Sequence, residues 1–302
     1  MKQVWSAIGA CTLAVASFTA AAQPPGAATI RPLLWQPGMA RSEVGEINVF
    51  RRFSSERTDR VTEFYGYVLG LTALPASAPG GGQMIRYPVG NSEVKLFPSP
   101  PNPMNTAPLG DVIGVRLLTF FYDDEEALVT RFRSRGFATP VFEGPARGER
   151  SALVQDPDGE WVELVIAPGV LAEDLKRFEI GVVVADVERS AAFYRDIVGL
   201  EEMPPVEDSV LGATKHPFRH GTTTINLYAF RADSPKDVET AGVQYIVWNV
   251  AAVDALARAR GARIDRPLSE PGQMRTIWLQ DPDGVSNYFA QFAGNDNRPA
   301  SR

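Results

Sequence analysis

Five residues, Gln155-Asp156-Pro157-Asp158-Gly159, return unchanged as Gln280-Asp281-Pro282-Asp283-Gly284, and each run leads into an apolar stretch. Asp-Pro-Asp-Gly is turn chemistry. Proline presets its φ, aspartate side chains bond the local backbone, and glycine supplies a positive φ. One such turn carries no functional information. Its return between similar flanks means that the chain is built twice. Phe64-Tyr65 and Gly70-Leu71 match Phe193-Tyr194 and Gly199-Leu200. The stretch from Tyr87 to Phe97 matches that from Phe218 to Tyr228. Glu126-Ala127-Leu128 before Arg135-Gly136 matches Asp254-Ala255-Leu256 before Arg260-Gly261. Any fold must accommodate this order twice.

Residues 1–22 carry one lysine near the start, an apolar stretch from Val4 and Ala20-Ala21-Ala22 at the end. This is the pattern of a secretory signal peptide, with cleavage expected before Gln23. The segment is too short and too rich in Ala, Ser and Thr for a retained membrane anchor. A lipoprotein box at Ile8-Gly9-Ala10-Cys11 ranks well behind, because the apolar stretch before Cys11 is too short. The expected location is periplasmic or secreted, with no membrane attachment after cleavage. Cys11 is the only cysteine, so the mature chain would have no disulfide and no thiolate ligand. Residues 23–42, rich in Pro and Ala, read as a linker. The first copy is placed at 43–168, the second at 175–294, and a tail at 295–302. A net charge of −6 and a pI near 5.2 offer no basic footprint for nucleic acid.

Each copy reads as strand, helix, then strands with a second helix among them. In the second, 178–185 is an apolar β-branched strand, Asp186 an N-cap, 187–198 a helix and Gly199 its stop. Strands at 222–230 and 243–250 precede a helix at 253–260, and 274–279 with 286–292 form a hairpin around the repeated turn. The first copy follows suit at 47–53, 58–69, 93–97, 112–121, 125–134, 151–154 and 161–166. Helices alternating with strands predict an α+β fold of curved mixed sheets with helices outside. Residues 98–110, with five prolines, and 201–217 read as irregular segments covering the open side.

This order, with Phe-Tyr and Gly-Leu in the first helix and Asp-Pro-Asp-Gly before the last strand, resembles the vicinal oxygen chelate superfamily. That superfamily includes glyoxalase I, bleomycin-resistance proteins, fosfomycin-resistance enzymes and extradiol dioxygenases. The resemblance covers roughly 45–167 and 176–293. It implies two tandem glyoxalase-like copies of βαβββ modules, each copy curving around a cup, and a divalent metal held by first, middle and last strands.

Carried over residue by residue, the family's ligand positions fall on Asn48 (with Glu46 and Phe50 as alternatives), Glu163, Glu179 and Tyr288, with Leu117 and Tyr245 at the middle strands. An extradiol-type site would then be Glu179, Tyr245 and Tyr288, which lacks the two histidines that this iron chemistry uses. A glyoxalase-type site drawing on both copies fares better. Glu163 and Glu179 would be catalytic, and with Asn48 would ligate Mg²⁺ or Mn²⁺, hard ions that take oxygen. The same glutamates also work without any metal, one carboxylate raising the other's pKa and making it a base. Tyr288, Tyr245, Trp248, Phe120 and His220 are the expected substrate contacts, although strand aromatics are more often core and His216 with His220 also reads as an exposed loop pair. Lys95 and Asn226 occupy equivalent positions in the two copies.

Two functions follow. One is a secreted lyase or isomerase acting on a small oxygenated molecule, with or without a divalent ion. The other is a binding protein like the bleomycin-resistance members, using the cup without metal or turnover. Secretion argues against glutathione as substrate. The partner is a small molecule, and the chain is expected to act as a monomer or homodimer.

Overall fold

The computed structural model describes residues 47–75, 83–145, 148–237, 239–270 and 274–292. The expected signal peptide, linker and C-terminal tail lie outside them. The first copy runs β1 (Ile47–Ser54), α1 (Thr58–Glu63), β2 (Ile85–Val89), β3 (Ser92–Ser99), β4 (Gly114–Tyr122), α2 (Glu125–Ser134), β5 (Arg150–Gln155) and β6 (Trp161–Ile166). The second runs β7 (Phe178–Val183), α3 (Val187–Phe193), β8 (Glu201–Glu202), β9 (Val206–Asp208), β10 (Ala213–His220), β11 (Thr223–Tyr228) and β12 (Ala241–Ile246). It ends with α4 (Val250–Ala259), β13 (Arg263–Ser269), β14 (Met274–Gln280) and β15 (Ser286–Phe292). No helix among the described residues is long and apolar enough to cross a membrane.

The helices begin and end as their sequences dictate. Asp186 caps α3 by accepting from the Arg189 N–H at 3.1 Å, and Asp124 and Asn249 do the same for α2 and α4. Both α1 and α3 widen into a π-turn, through Val68 and Val198, and Gly199 closes the second with a left-handed φ of 86°. Removing the cap in Asp186→Ala is expected to lower stability by about 1 kcal/mol, measured by urea titration. A change below about 0.3 kcal/mol would mean that tertiary packing alone sets this helix start.

Two sheets result. The first has the order β13-β14-β15-β12-β1-β3-β2, and the second β5-β6-β4-β7-β11-β10-β8, with β9 paired to β10. Each sheet therefore draws three strands from the first copy and the rest from the second. The sheets are mixed as expected, and each is built across the two copies rather than within one. The seams are antiparallel, β1 on β12 and β4 on β7, whereas β1–β3, β4–β6, β7–β11 and β12–β15 pair in parallel. Alternation along the strands puts one face of each sheet against the helices. There Val49, Leu118, Phe120, Ile180, Leu227, Val243, Tyr245 and Phe289 join a core continuous with Phe64, Phe132, Tyr194 and Val253.

Three segments differ from expectation. Residues 201–217, read as irregular, contain β8, β9 and the start of β10, which pairs with β11 from His216 to His220. Pro217, which argues against a helix between His216 and His220, sits in the ladder opposite Asn226. Strands β2 and β13 were also unanticipated, the latter because its pairing with β14 is interrupted by register shifts.

The repeated turn ties the sheets together. Asp156, between β5 and β6 of the second sheet, accepts from its own turn at the Asp158 and Glu160 N–H groups, 2.9 and 3.0 Å away. Its other oxygen takes Arg51 Nη1 on β1 at 3.2 Å and the Tyr65 hydroxyl at 3.0 Å. Asp158 accepts from the Ser54 N–H. In the second copy Asp281 binds the Asp283 and Val285 N–H groups at 2.9 Å and receives the Tyr194 hydroxyl at 3.3 Å, while Asp283 accepts from the Ala185 N–H. Tyr65 and Tyr194 are the tyrosines of the two Phe-Tyr landmarks, so motifs far apart in sequence are the two ends of one bond. Gly159 has φ 90° and packs so close that a Cβ there would lie 1.8 Å from the Asn105 carbonyl oxygen.

Candidate functional site

The face of the second sheet away from the helices carries a row across the β6–β4–β7 seam. Thr119 is the register partner of Glu163 on β6 and of Glu179 on β7. The Thr119 hydroxyl donates to Glu163 Oε2 at 3.0 Å. Beyond β7, the Asn226 amide donates to Glu179 Oε2 at 2.6 Å, and Lys215 Nζ, reaching over from β10, donates to the same oxygen at 3.1 Å. Lys215 also lies 3.8 Å from Asp208 Oδ2, which accepts from the Tyr228 hydroxyl at 3.3 Å. Of these groups, Thr119, Glu163, Glu179, Asp208 and Lys215 border a cavity of about 260 Å³. The described residues lining it carry six carboxylates, Glu143, Glu149, Glu163, Glu179, Glu207 and Asp208, against Arg150, Arg177 and Lys215. The cup is acidic, with Phe121, Val165 and Val206 as apolar walls.

Burial pushes the Glu163 carboxyl above the usual glutamate range, with Asp208 and Glu179 adding to it and Lys215 and the Thr119 hydrogen bond opposing. For Lys215, burial works against the charge, but the fields of Glu179 and Glu163 prevail and hold its pKa above that of an ordinary lysine. Burial, with Asp208, raises Tyr228 far beyond the tyrosine range, so it acts as a donor only. Asn226 is 1% exposed, and its Oδ1 has no partner.

The first sheet bears the counterpart row: Asn48 on β1, Gln244 on β12 and Tyr288 on β15. It is built differently. The Asn48 amide donates to Gln244 Oε1 at 3.0 Å, its oxygen accepts from the Glu93 N–H at 2.8 Å, and Lys95 Nζ donates to Gln244 Oε1 at 2.5 Å. Tyr288 stacks on Trp278 with ring centroids 4.4 Å apart, and Phe50 meets Trp278 edge-on at 5.7 Å. Burial holds Lys95 below the usual lysine range and pushes Tyr288 up to about 12.

The sequence-derived set therefore divides. Glu163 and Glu179 converge in one cup, while Asn48 and Tyr288 lie on the other sheet, so these four residues do not form one site. Asn48 also has both ends of its amide engaged. Phe120 and Tyr245 are corrected outright. Both face the helices, Phe120 against Phe178, and Tyr245 stacked on Phe289 with its hydroxyl donating to Asn287. His220 ends β10 on the same face as the core residue Phe218, opposite the face of Lys215. Trp248 is half-buried just beyond β12, next to the Asn249 cap. The middle-strand positions are Thr119 and Gln244 rather than Leu117 and Tyr245. Leu117 shares the cup face of Thr119, beside a register shift in the β4–β7 pairing. Sequence reasoning missed Lys215, Asp208 and Thr119. The equivalence of Asn226 with Lys95 was the one available hint.

The cup's donors do not fit the divalent metal that the resemblance implies. A hard cation needs several oxygen ligands with free lone pairs. Here Glu179 Oε2 already holds an amide and an ammonium, Glu163 Oε2 holds a hydroxyl, and the positive charge beside Glu179 and Asp208 is that of Lys215. Among the described residues, no three His, Cys, Asp or Glu side chains gather closely enough to hold an ion.

The family model described as Glyoxalase/Bleomycin resistance protein/Dioxygenase superfamily matches residues 53–164 and again 176–289. Among solved structures, glyoxalase I from Zea mays is similar at 19% identity and a TM-score of 0.60, over 82% of this chain and 92% of that one. A candidate dioxygenase from Bacillus subtilis is similar at 14% identity and a TM-score of 0.59, over 84% and 86%. At these identities the likeness concerns the fold. No curated protein matches the sequence.

Proposed function

The chain belongs to the Glyoxalase/Bleomycin resistance protein/Dioxygenase superfamily, and we propose that within it this protein is a secreted binder of a small oxygenated molecule. The cup of the second sheet is the binding site, and it works without a divalent ion. The observation that carries this reading is the Lys215 ammonium bonded to Glu179 at 3.1 Å, supplying the positive charge that the two glutamates would otherwise seek from a metal. The excess of carboxylates favours a neutral or cationic ligand. The partner is thus a small molecule rather than nucleic acid or membrane, taken up by a monomer or homodimer.

One observation favours a second reading. A buried glutamate with a raised pKa is a general base nearer to neutral pH than an ordinary carboxylate. In that case Glu163 would move a proton on the bound molecule, in a lyase or isomerase needing no metal.

The test is the melting temperature of the mature protein against Mg²⁺, Mn²⁺, Zn²⁺ and Fe²⁺, and against a panel of small hydroxylated amines and aromatic amphiphiles. A ligand bound only by the folded state must raise it. The expected result is no shift with any ion and a shift with one compound class that Glu179→Gln removes. A shift with an ion, abolished in Glu163→Ala and Glu179→Ala, overturns the metal-free reading.

A further inference from the structure

We infer that Lys215 is the resident cation of this cup: its ammonium sits against Glu179 and Asp208, taking the place of a free cation there, and it offers an N–H to an oxygen of the bound molecule. This rests on the metal-free reading above and says which residue makes it so.

The position of Lys215 is fixed by the sheet. It precedes His216, whose register partner is Leu227, so it lies on β10 opposite the end of β11. From there its stem crosses β11 to reach Glu179 on β7. An ammonium group has three donors and no acceptor. One is taken by Glu179 Oε2 at 3.1 Å. Asp208 Oδ2, at 3.8 Å, is an ion-pair partner beyond hydrogen-bond distance. The amine also borders the cavity, so the remaining N–H groups are available to what enters it. The surroundings are those of a cation site. Asp208 is held by Tyr228, Glu179 by Asn226 and Glu163 by Thr119, and Glu163 adds to the field that keeps Lys215 charged. A lysine differs from a bound ion in that chelators cannot remove it, it carries a single charge, and it binds ligand oxygen by donation instead of coordination. The ligand class that follows is a molecule presenting a carbonyl or hydroxyl oxygen to the amine.

The experiment removes the built-in cation and supplies a free one. Wild type, Lys215→Ala, Lys215→Met and Lys215→Arg are purified with EDTA, checked for folding by circular dichroism, and titrated with MnCl₂ by electron paramagnetic resonance. Lys215→Met keeps the length of the stem, should the shorter variant fold poorly. The expected result is no binding by wild type or Lys215→Arg. Lys215→Ala and Lys215→Met should gain Mn²⁺ binding, with Glu179, Asp208 and water supplying its oxygens, and a rise in melting temperature on adding the ion. Adding Glu179→Gln to either should abolish that gain. If neither variant binds Mn²⁺ better than wild type, the inference fails while the metal-free reading stands. If wild type itself binds Mn²⁺ and loses it in Glu179→Gln, both fall together.

Discussion

Asp156→Ala is expected to cost about 3–5 kcal/mol of stability, the largest effect of any single substitution considered for this chain. The reason is the arginine it abandons. Arg51 is 3% exposed, and its guanidinium bonds Asp156 and the Tyr65 hydroxyl, with Glu160 3.9 Å away. Burial alone would lower the guanidinium's pKa. The Tyr65 hydroxyl and the Asp156 and Glu160 charges outweigh it and hold the pKa above that of an ordinary arginine. Without Asp156 the buried cation keeps the Tyr65 hydroxyl but, as side-chain carboxylate, only a longer contact to Glu160, which must also serve Arg116 at 3.4 Å. The turn fails as well, since Asp156 accepts from two of its backbone N–H groups. Asp156→Asn separates the two effects. It keeps an oxygen for the turn and removes only the charge, so it should fall between alanine and wild type. Urea denaturation followed by tryptophan fluorescence measures all three. An Asp156→Ala variant within about 1 kcal/mol of wild type would show that this cross-link is not what joins the sheets.

Its counterpart in the second copy should behave in the opposite way. Asp281 sits in the same five-residue turn, but the register that gives Arg51 on β1 places Val182 on β7, and among the described residues no arginine is recorded against it. Burial pushes its pKa up to about 6, against the hydrogen bonds from Val285, Asp283 and Tyr194. Between about pH 4 and 6 the folded state thus binds a proton that the unfolded state releases, so stability falls as pH rises through that window. Above pH 6 the full cost, about 2–3 kcal/mol, is present. Asp281→Asn keeps an acceptor for the turn and cannot ionise. It should match wild type near pH 4 and exceed it by about 2 kcal/mol at pH 7.5. Melting temperatures of the two proteins across this range decide the matter, and parallel curves would contradict it.

The contrast shows what the sequence makes legible. Duplication, helix caps and the turn could be read because each rests on local chemistry: Asp186 and Asp124 bond N–H groups three residues on, and Gly199 supplies a left-handed φ. The convergence of Glu163 and Glu179 could also be read, because family position and strand parity agree there. Phe120 and Tyr245 went wrong by parity. Residues 117–122, Leu-Leu-Thr-Phe-Phe-Tyr, are apolar on both faces, so alternation does not say which face meets the helices, and a slip of one residue exchanges them. Lys215 was hidden because it falls in 201–217, which reads as an irregular segment, whereas it lies on β10. The pairing of sheet halves across copies is invisible to any local reading, since Asn48 meets Gln244 across 196 residues.

That pairing has a consequence for how the two cups came to differ. If the copies were separate identical chains, the seams β1–β12 and β4–β7 would join two molecules related by a two-fold axis, and every residue of one cup would reappear in the other. Joining them in one polypeptide lifts that constraint. A substitution now alters one cup and leaves its twin alone. The row Glu163-Thr119-Glu179 presents carboxylates paired with Lys215, while Asn48-Gln244-Tyr288 is an amide lattice with Lys95 beneath stacked aromatic rings. The strand pairing that makes the copies inseparable as folded objects leaves them independent as chemical ones.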